Sequence, residues 1–246
     1  MNTGNREGFE RVVLLAVATL IFFSRAPAQA GNPEPSNQVW IAVNASFELS
    51  ERARITAIFE KHNGEDGAFG ENKVGALFGY RMRRFSSHLT SDNDKEKEYN
   101  LTVGGGYEFI TTGDSGVGKR EHRVVAQATP NYVFGWGIRA QDRNRLEFRW
   151  KDGAYNFRYR NRLIIERPFR FGKLRLTPYA AGELFWDRNR HAWNENEYAF
   201  GVQWPFRKIF KLNTYYLRQN CTTCSQDPLN VFGVTANFYF SWPRTR

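Results

Sequence analysis

The sequence predicts an all-β protein, a closed antiparallel transmembrane β-barrel of about 10–12 strands that follows a cleaved signal peptide. Apolar and polar residues alternate with period two through most of the chain, as in strands with one apolar and one polar face. Aromatic residues make up 16%, with 21 Phe, 11 Tyr and 7 Trp; they favour strands and gather at membrane interfaces. The third observation is an export-type segment at the start.

In that segment, Arg6 and Arg11 precede an apolar run over residues 12–23, and Ala28-Gln29-Ala30 follows. The run is shorter than the ~20 residues a spanning helix needs, and the small residues place a cut after Ala30. The expected division is a signal peptide over 1–30 and a barrel domain over 31–246. No later segment is long and apolar enough for a membrane helix.

The clearest strand pair begins at Arg145. Leu146, Phe148 and Trp150 share one face, against Arg145, Glu147 and Arg149 on the other. After Lys151-Asp152-Gly153, a turn suited to positive φ, Tyr155, Phe157, Tyr159, Leu163 and Ile165 oppose Arg158, Arg160, Arg162 and Glu166. Next, Leu174, Leu176, Ala180, Leu184 and Trp186 oppose Arg175, Thr177, Tyr179 and Glu183. Tyr198, Phe200, Val202 and Trp204 oppose Glu197, Gly201 and Gln203, and Phe210, Leu212 and Tyr216 oppose Lys211, Asn213 and Tyr215. The last strand sets Phe232, Val234, Ala236, Phe238, Phe240 and Trp242 against Thr235, Asn237, Tyr239 and Ser241. Upstream, residues 39–47, 54–62, 73–84, 99–109, 122–130 and 132–140 read as strands. The count is about eleven to twelve, and because bacterial single-chain barrels carry even numbers, ten or twelve strands are expected.

A soluble sandwich would also alternate, but its polar face would be rich in Lys, Thr and Ser. Here Arg recurs with Glu, as an enclosed lumen demands, since buried charges need partners. The expected lumenal network is Arg145, Glu147, Arg149, Arg158, Arg160, Arg162, Glu166, Arg175 and Glu183. Trp40, Trp136, Trp150, Trp186, Trp204 and Trp242 near strand ends suit two aromatic girdles. Connections 50–52, 168–172 and 205–208 are short and read as periplasmic; 63–72, 187–194 and 219–230 are longer and read as extracellular. The longest, 85–96, has no assigned side.

Other motifs give way to simpler readings. Residues 113–120 approach a phosphate-binding loop, but Arg120 stands where Ser or Thr must follow Lys119, and a hairpin replaces the strand-to-helix setting. Cys221-Thr222-Thr223-Cys224 lacks both a redox fold context and a second ligand pair; an oxidising compartment favours a small disulfide between Cys221 and Cys224. His62, His88, His122 and His191 are scattered. Ser86 and Ser87 neighbour His88, but adjacent residues on an extended chain point apart, so no catalytic set is built. The net charge of +10 is spread among apolar residues rather than gathered in a nucleic-acid stripe. It suits the phosphates of surface glycolipid instead.

Arg143-Asn144-Arg145-Leu146-Glu147-Phe148-Arg149-Trp150, then Tyr159-Arg160-Asn161-Arg162-Leu163, then Pro178-Tyr179 and Glu183-Leu184-Phe185 resemble the outer-membrane barrels grouped as domain of unknown function 2490. That family carries an R-x-R-x-E-x-R strand, an R-x-R strand and a Y…E-x-F strand. Asn213-Thr214-Tyr215-Tyr216-Leu217 is similar to its "gYl" strand. The resemblance spans residues 40–242 in order, is most distinctive over 143–186, and implies an outer-membrane location without assigning an activity or catalytic residues.

The expected function is a monomeric barrel of a Gram-negative outer membrane, structural or porin-like, passing small anionic solutes along an arginine-lined wall. Its expected partners are membrane lipids and surface glycolipid, with no cofactor or metal. A barrel enzyme that modifies lipids is the alternative.

Overall fold

The computed structural model describes residues 36–64, 70–84, 94–113, 119–172, 174–207, 209–222 and 228–241. The signal segment, Ser86, Ser87, His88, residues 114–118, Cys224 and Trp242 lie outside the described residues. The strands in chain order are β1 (Ser36–Glu48), β2 (Ala53–Gly64), β3 (Gly70–Arg84), β4 (Tyr99–Thr112), β5 (Lys119–Val133) and β6 (Arg139–Lys151). They continue as β7 (Ala154–Glu166), β8 (Phe169–Phe171), β9 (Leu174–Asp187), β10 (Ala192–Arg207), β11 (Phe210–Cys221) and β12 (Leu229–Ser241). No α-helix occurs among the described residues; 3-10 turns cover Lys95–Glu98 and Gly135–Gly137.

Eleven long strands pair with their neighbours in order, and β8 is a three-residue stub on the start of β9. The barrel closes between β1 and β12, which run parallel from Ser36↔Leu229 to Glu48↔Ser241. All other pairings are antiparallel. An odd number of alternating strands must end with first and last pointing the same way. The expectation of an even number is therefore corrected: eleven long strands form this barrel, because one of the segments read from the sequence, 132–140, is not a strand.

Residues 132–140 are not a strand. Tyr132 and Val133 finish β5, and Arg139 and Ala140 start β6. Between them Phe134 donates its N–H to the Ile138 carbonyl at 2.8 Å. Trp136 and Gly137 adopt positive φ, 61° and 73°, which glycine tolerates without strain. Apolar residues at every second position here imitate a strand across a turn. By contrast, Lys151 pairs with Ala154, and Asp152 and Gly153 form a two-residue turn with φ 49° and 83°, the hairpin geometry that positive φ permits.

We call the end where β1 and β12 finish the lower mouth and the opposite end the upper mouth. The connections at 50–52, 168–172 and 205–208 all lie at the lower mouth, and those at 63–72, 187–194 and 219–230 at the upper. The long β3–β4 connection joins the lower group.

The outer wall is apolar. Val39, Ile41, Val43, Phe59, Val74, Phe78, Val124, Leu146, Phe200 and Phe232 all stand exposed on it. A continuous apolar surface of this extent does not persist in water; a hydrocarbon belt is the environment that suits it. Trp136, 77% exposed at the lower mouth, and Trp150 near the upper mouth stand on the two rims of this belt. Trp40, expected with them, instead turns inward with Gln38 and Ala42 and stacks on His62 at 3.9 Å.

β4 lacks side chains at Gly104, Gly105 and Gly106, and the β3 backbone lies close against it there. A Cβ on Gly106 would lie 2.1 Å from the Ala76 carbonyl oxygen and 2.8 Å from Leu77 Cα. These contacts are to backbone and cannot be relieved by a side-chain rotation. Gly106→Ala should therefore lower stability by about 1–3 kcal/mol, read as a lower urea midpoint for the micelle-bound barrel. An unchanged midpoint would mean that β3 and β4 separate freely.

Candidate functional site: the arginine-lined lumen

Period-two geometry turns Arg139, Gln141, Arg143, Arg145, Glu147 and Arg149 of β6 inward, facing Arg158, Arg160, Arg162, Ile164 and Glu166 of β7. The register sets Arg143 opposite Arg162 and Arg145 opposite Arg160. Like charges placed directly across a strand pair repel, so this hairpin requires carboxylates from other strands.

Three other strands supply them, alongside Glu147 on β6 itself. Glu147, fully buried at 0% exposed, meets Arg158 at 2.8 Å, Arg160 at 3.1 Å, Arg145 at 3.4 Å and Arg123 at 3.5 Å. Glu183 of β9 takes Arg143 and Arg160 at 2.8 Å each, with Arg162 at 3.7 Å. Glu108 of β4 pairs with Arg145 and, at 3.3 Å, with Arg123. Glu121 of β5 accepts two bonds of 2.7 Å from Arg149 and one of 2.9 Å from Arg123 Nε. Such charge-assisted and bidentate bonds are the strong class. The Phe185 ring lies under the guanidinium groups of Arg160 and Arg158, 4.5 and 5.0 Å from its centroid.

Arg145, Glu147, Arg149, Arg158, Arg160, Arg162 and Glu183 are thus brought together. Glu166 lies lower, against Lys97 at 2.8 Å and Arg139 at 3.1 Å. Arg175 is exposed at the lower mouth, opposite Arg170 on β8, and does not enter the cluster. It shares a face with Glu183, but alternation does not reveal that β9 has left the lumen there. Sequence reading missed Glu108, Glu121, Arg123 and Arg143. The first three sit on strands whose faces had not been separated, although Glu121-His122-Arg123-Val124-Val125 carries the alternation that would have found them.

Two arginines stand most open to the lumen. The side chains of Arg143 and Arg162 are 24% and 23% exposed, against 15% for Arg149 and Arg160. Their guanidinium groups form the part of the network that an anion in the lumen can reach.

The lower mouth carries a plug. Asp94 caps the turn Lys95–Glu98 by accepting from the Glu96 N–H at 3.2 Å. Arg54 of β2 binds Asp94 at 2.8 Å and Glu96 at 2.7 Å. Lys97, on the same turn, donates to Glu166 of β7 at 2.8 Å and to Gln203 of β10 at 3.0 Å. Asn131 of β5 donates to the carbonyls of Tyr99 at 2.9 Å and Glu96 at 3.4 Å. Anchors on β2, β5, β7 and β10 hold the turn across the lumen. Burial is the largest influence on the Glu96 carboxyl and pushes it up; Asp94 and Glu48 push it further, Arg54 and Arg81 oppose them, and the net shift is upward from 4.5.

The other singled-out residues lie elsewhere. His62 is in the upper lumen, 2.5 Å from Glu60 and 3.8 Å from Glu71, and Glu60 also binds Lys73. His122 is on the outer wall, with Nδ1 2.5 Å from the Tyr107 hydroxyl. His191 occupies the β9–β10 turn with φ 52°. Cys221 is the last residue of β11. Near the lower outer wall, Asp142, Asn144, Tyr159 and Asn161 bond to one another, with Asn161 donating to Asp142 at 2.6 Å and Tyr159 to Asn144 at 2.5 Å.

No curated protein matches the sequence. Among solved structures, LpxR from Salmonella typhimurium is similar with a TM-score of 0.45 and 7% identity, over 76% of this chain and 83% of that chain. The family model described as protein of unknown function, DUF2490, matches residues 37–230, from the start of β1 into β12, and the chain belongs to that family.

Proposed function

We propose that this protein is a bacterial outer-membrane barrel whose arginine-lined lumen admits small anions and is closed at its lower mouth by the Asp94–Glu98 turn. The observation that carries the reading is the pair Arg143 and Arg162, the arginine side chains of the cluster most exposed to the lumen at 24% and 23%. Arg123, Arg145, Arg149, Arg158 and Arg160 line the same wall, and the carboxylates bound to them are Glu108, Glu121, Glu147, Glu183 and Glu195. The excess is positive, and rings of arginine favour anionic solutes. The apolar outer belt supports a membrane location, and the short connections 50–52, 168–172 and 205–208 support a periplasmic lower mouth. An oxidising compartment supports a disulfide between Cys221 and Cys224.

Planar-bilayer recording tests this. The mature barrel should give conductance steps whose reversal potential in a salt gradient reports anions over cations. Arg143→Ala with Arg162→Ala should cut that preference while leaving insertion intact. Absence of steps, or cation preference in the unaltered protein, removes the channel reading.

A further inference from the structure

We propose that the outer wall at the upper end of the β12–β1 seam binds the phosphorylated sugar headgroup of a membrane glycolipid. A groove of about 290 Å³ opens there, lined by Asn37, Val39, Asn63, Tyr216, Asn230 and Phe232. That volume is near the lower end of the ~300–1,000 Å³ of small-ligand sites, the scale of a headgroup portion rather than a whole lipid. The inference rests on the upper mouth facing outward, as in the reading above.

Strand register sorts this wall into two rows. Arg218, Asn230 and Asn37 lie side by side across β11, β12 and β1; immediately below them run Tyr216, Phe232, Val39 and Asn63. The upper row is bonded into a unit, with Arg218 donating to Asn230 Oδ1 at 3.0 Å and Asn230 donating to Asn37 Oδ1 at 3.3 Å. The Tyr216 hydroxyl donates to the same Asn230 oxygen at 2.8 Å. Below it Phe232 is 57% exposed, Tyr216 46% and Val39 45%. Lys61 is exposed beside Ile41 one row further down, and a lysine stem of this kind reaches along an apolar wall toward an interface.

The occupant follows from the combination. Carboxamides both donate and accept, so Asn37, Asn63 and Asn230 match hydroxyl and amide groups on a sugar. Exposed aromatic faces suit the C–H face of a ring and the first carbons of an acyl chain. Arg218 supplies a forked donor for phosphate, and Lys61 a second cation. A free anion would leave the aromatic row uncovered, and a bare acyl chain would leave the amide row dry. A phosphorylated, acylated sugar meets both rows at once.

The test uses the mature barrel in micelles, titrated by native mass spectrometry with four probes. These are a bis-phosphorylated acylated glucosamine disaccharide, its dephosphorylated form, phosphatidylglycerol and inorganic phosphate. The phosphorylated glycolipid should bind at least about tenfold more tightly than any other probe, the ratio that one charge-assisted contact supplies. Arg218→Ala should erase that advantage without weakening the dephosphorylated form, and Asn230→Leu should weaken both glycolipids. Should Asn230→Leu fail to fold, Asn37→Ala carries the same arm. Equal binding of phosphatidylglycerol, or Arg218→Ala indistinguishable from the parent, overturns the proposal. Because these side chains lie outside the lumen, conductance of Arg218→Ala should match the parent. Lost conductance with glycolipid binding intact would therefore sink the channel reading alone.

Discussion

Replacing Glu147 with alanine is expected to destabilise the folded barrel by about 3–5 kcal/mol, the range for removing one side of a buried ion pair. Glu147 is fully buried and lies between Arg123, Arg145, Arg158 and Arg160, all within 3.5 Å. Alanine leaves those guanidinium groups facing one another across the lumen. Of the four, Arg123 then keeps Glu108 and Glu121, Arg145 keeps Glu108, Arg160 keeps Glu183, and Arg158 keeps Glu195 at 3.8 Å. The reciprocal change, Arg158→Ala, removes one of four cations around a carboxylate that retains three, so its cost should be much smaller. The two variants are compared by urea unfolding in micelles, following loss of the compact form on unheated gels. Equal midpoint shifts would show that lumenal water already screens the arginines and that Glu147 is not the keystone of the network. Glu147→Gln should fall between them, because it keeps the oxygen acceptor and loses the charge.

How far the sequence spoke depends on the interaction that decides each feature. Outer and inner faces of β6, β7 and β9 through β12 follow from alternation, because a period of two is a property of the backbone itself. Arg145, Glu147, Arg158 and Glu183 were legible for that reason. Partner identity was not: Glu108 and Glu121 reach the cluster across β4 and β5, and which strands lie side by side is a matter of closure rather than of local pattern. Closure also decides parity, so the parallel β1–β12 seam was hidden, and the false segment at 132–140 made an even number look natural. Asp142 and Asn144 break the apolar face of β6 with no flanking signal; their partners, Tyr159 and Asn161, lie across the hairpin on β7. The plug is the hardest case. Asp94–Glu98 reads as part of a charged polar connection, and nothing in that composition distinguishes a solvated loop from one that enters the lumen and spends Lys97 on Glu166.

Freeing that plug should raise conductance several-fold, and its pH dependence should run opposite to that of an ordinary exposed carboxylate. Lys97→Ala removes the link to Glu166 and Gln203 on one wall, and Arg54→Ala removes both carboxylate links on the other. With both cut, the Asn131 bonds to backbone carbonyls and the looser Lys211–Asp94 contact at 4.0 Å remain. Glu96 sets the pH response. Burial holds its carboxyl above the usual 4.5, assisted by Asp94 and Glu48 and opposed by Arg54 and Arg81. The docked turn therefore binds a proton more tightly than a freely solvated one. By linkage, acidification through the shifted value favours docking, and a rise in pH above it loosens the turn. Conductance of the unaltered barrel should fall as pH drops through that window. Glu96→Gln, permanently neutral, should keep the mouth closed with a flat profile across the same range. Conductance that climbs on acidification would mean the Arg54 pair outweighs desolvation, and that loss of the ion pair rather than relief of a buried charge governs the plug.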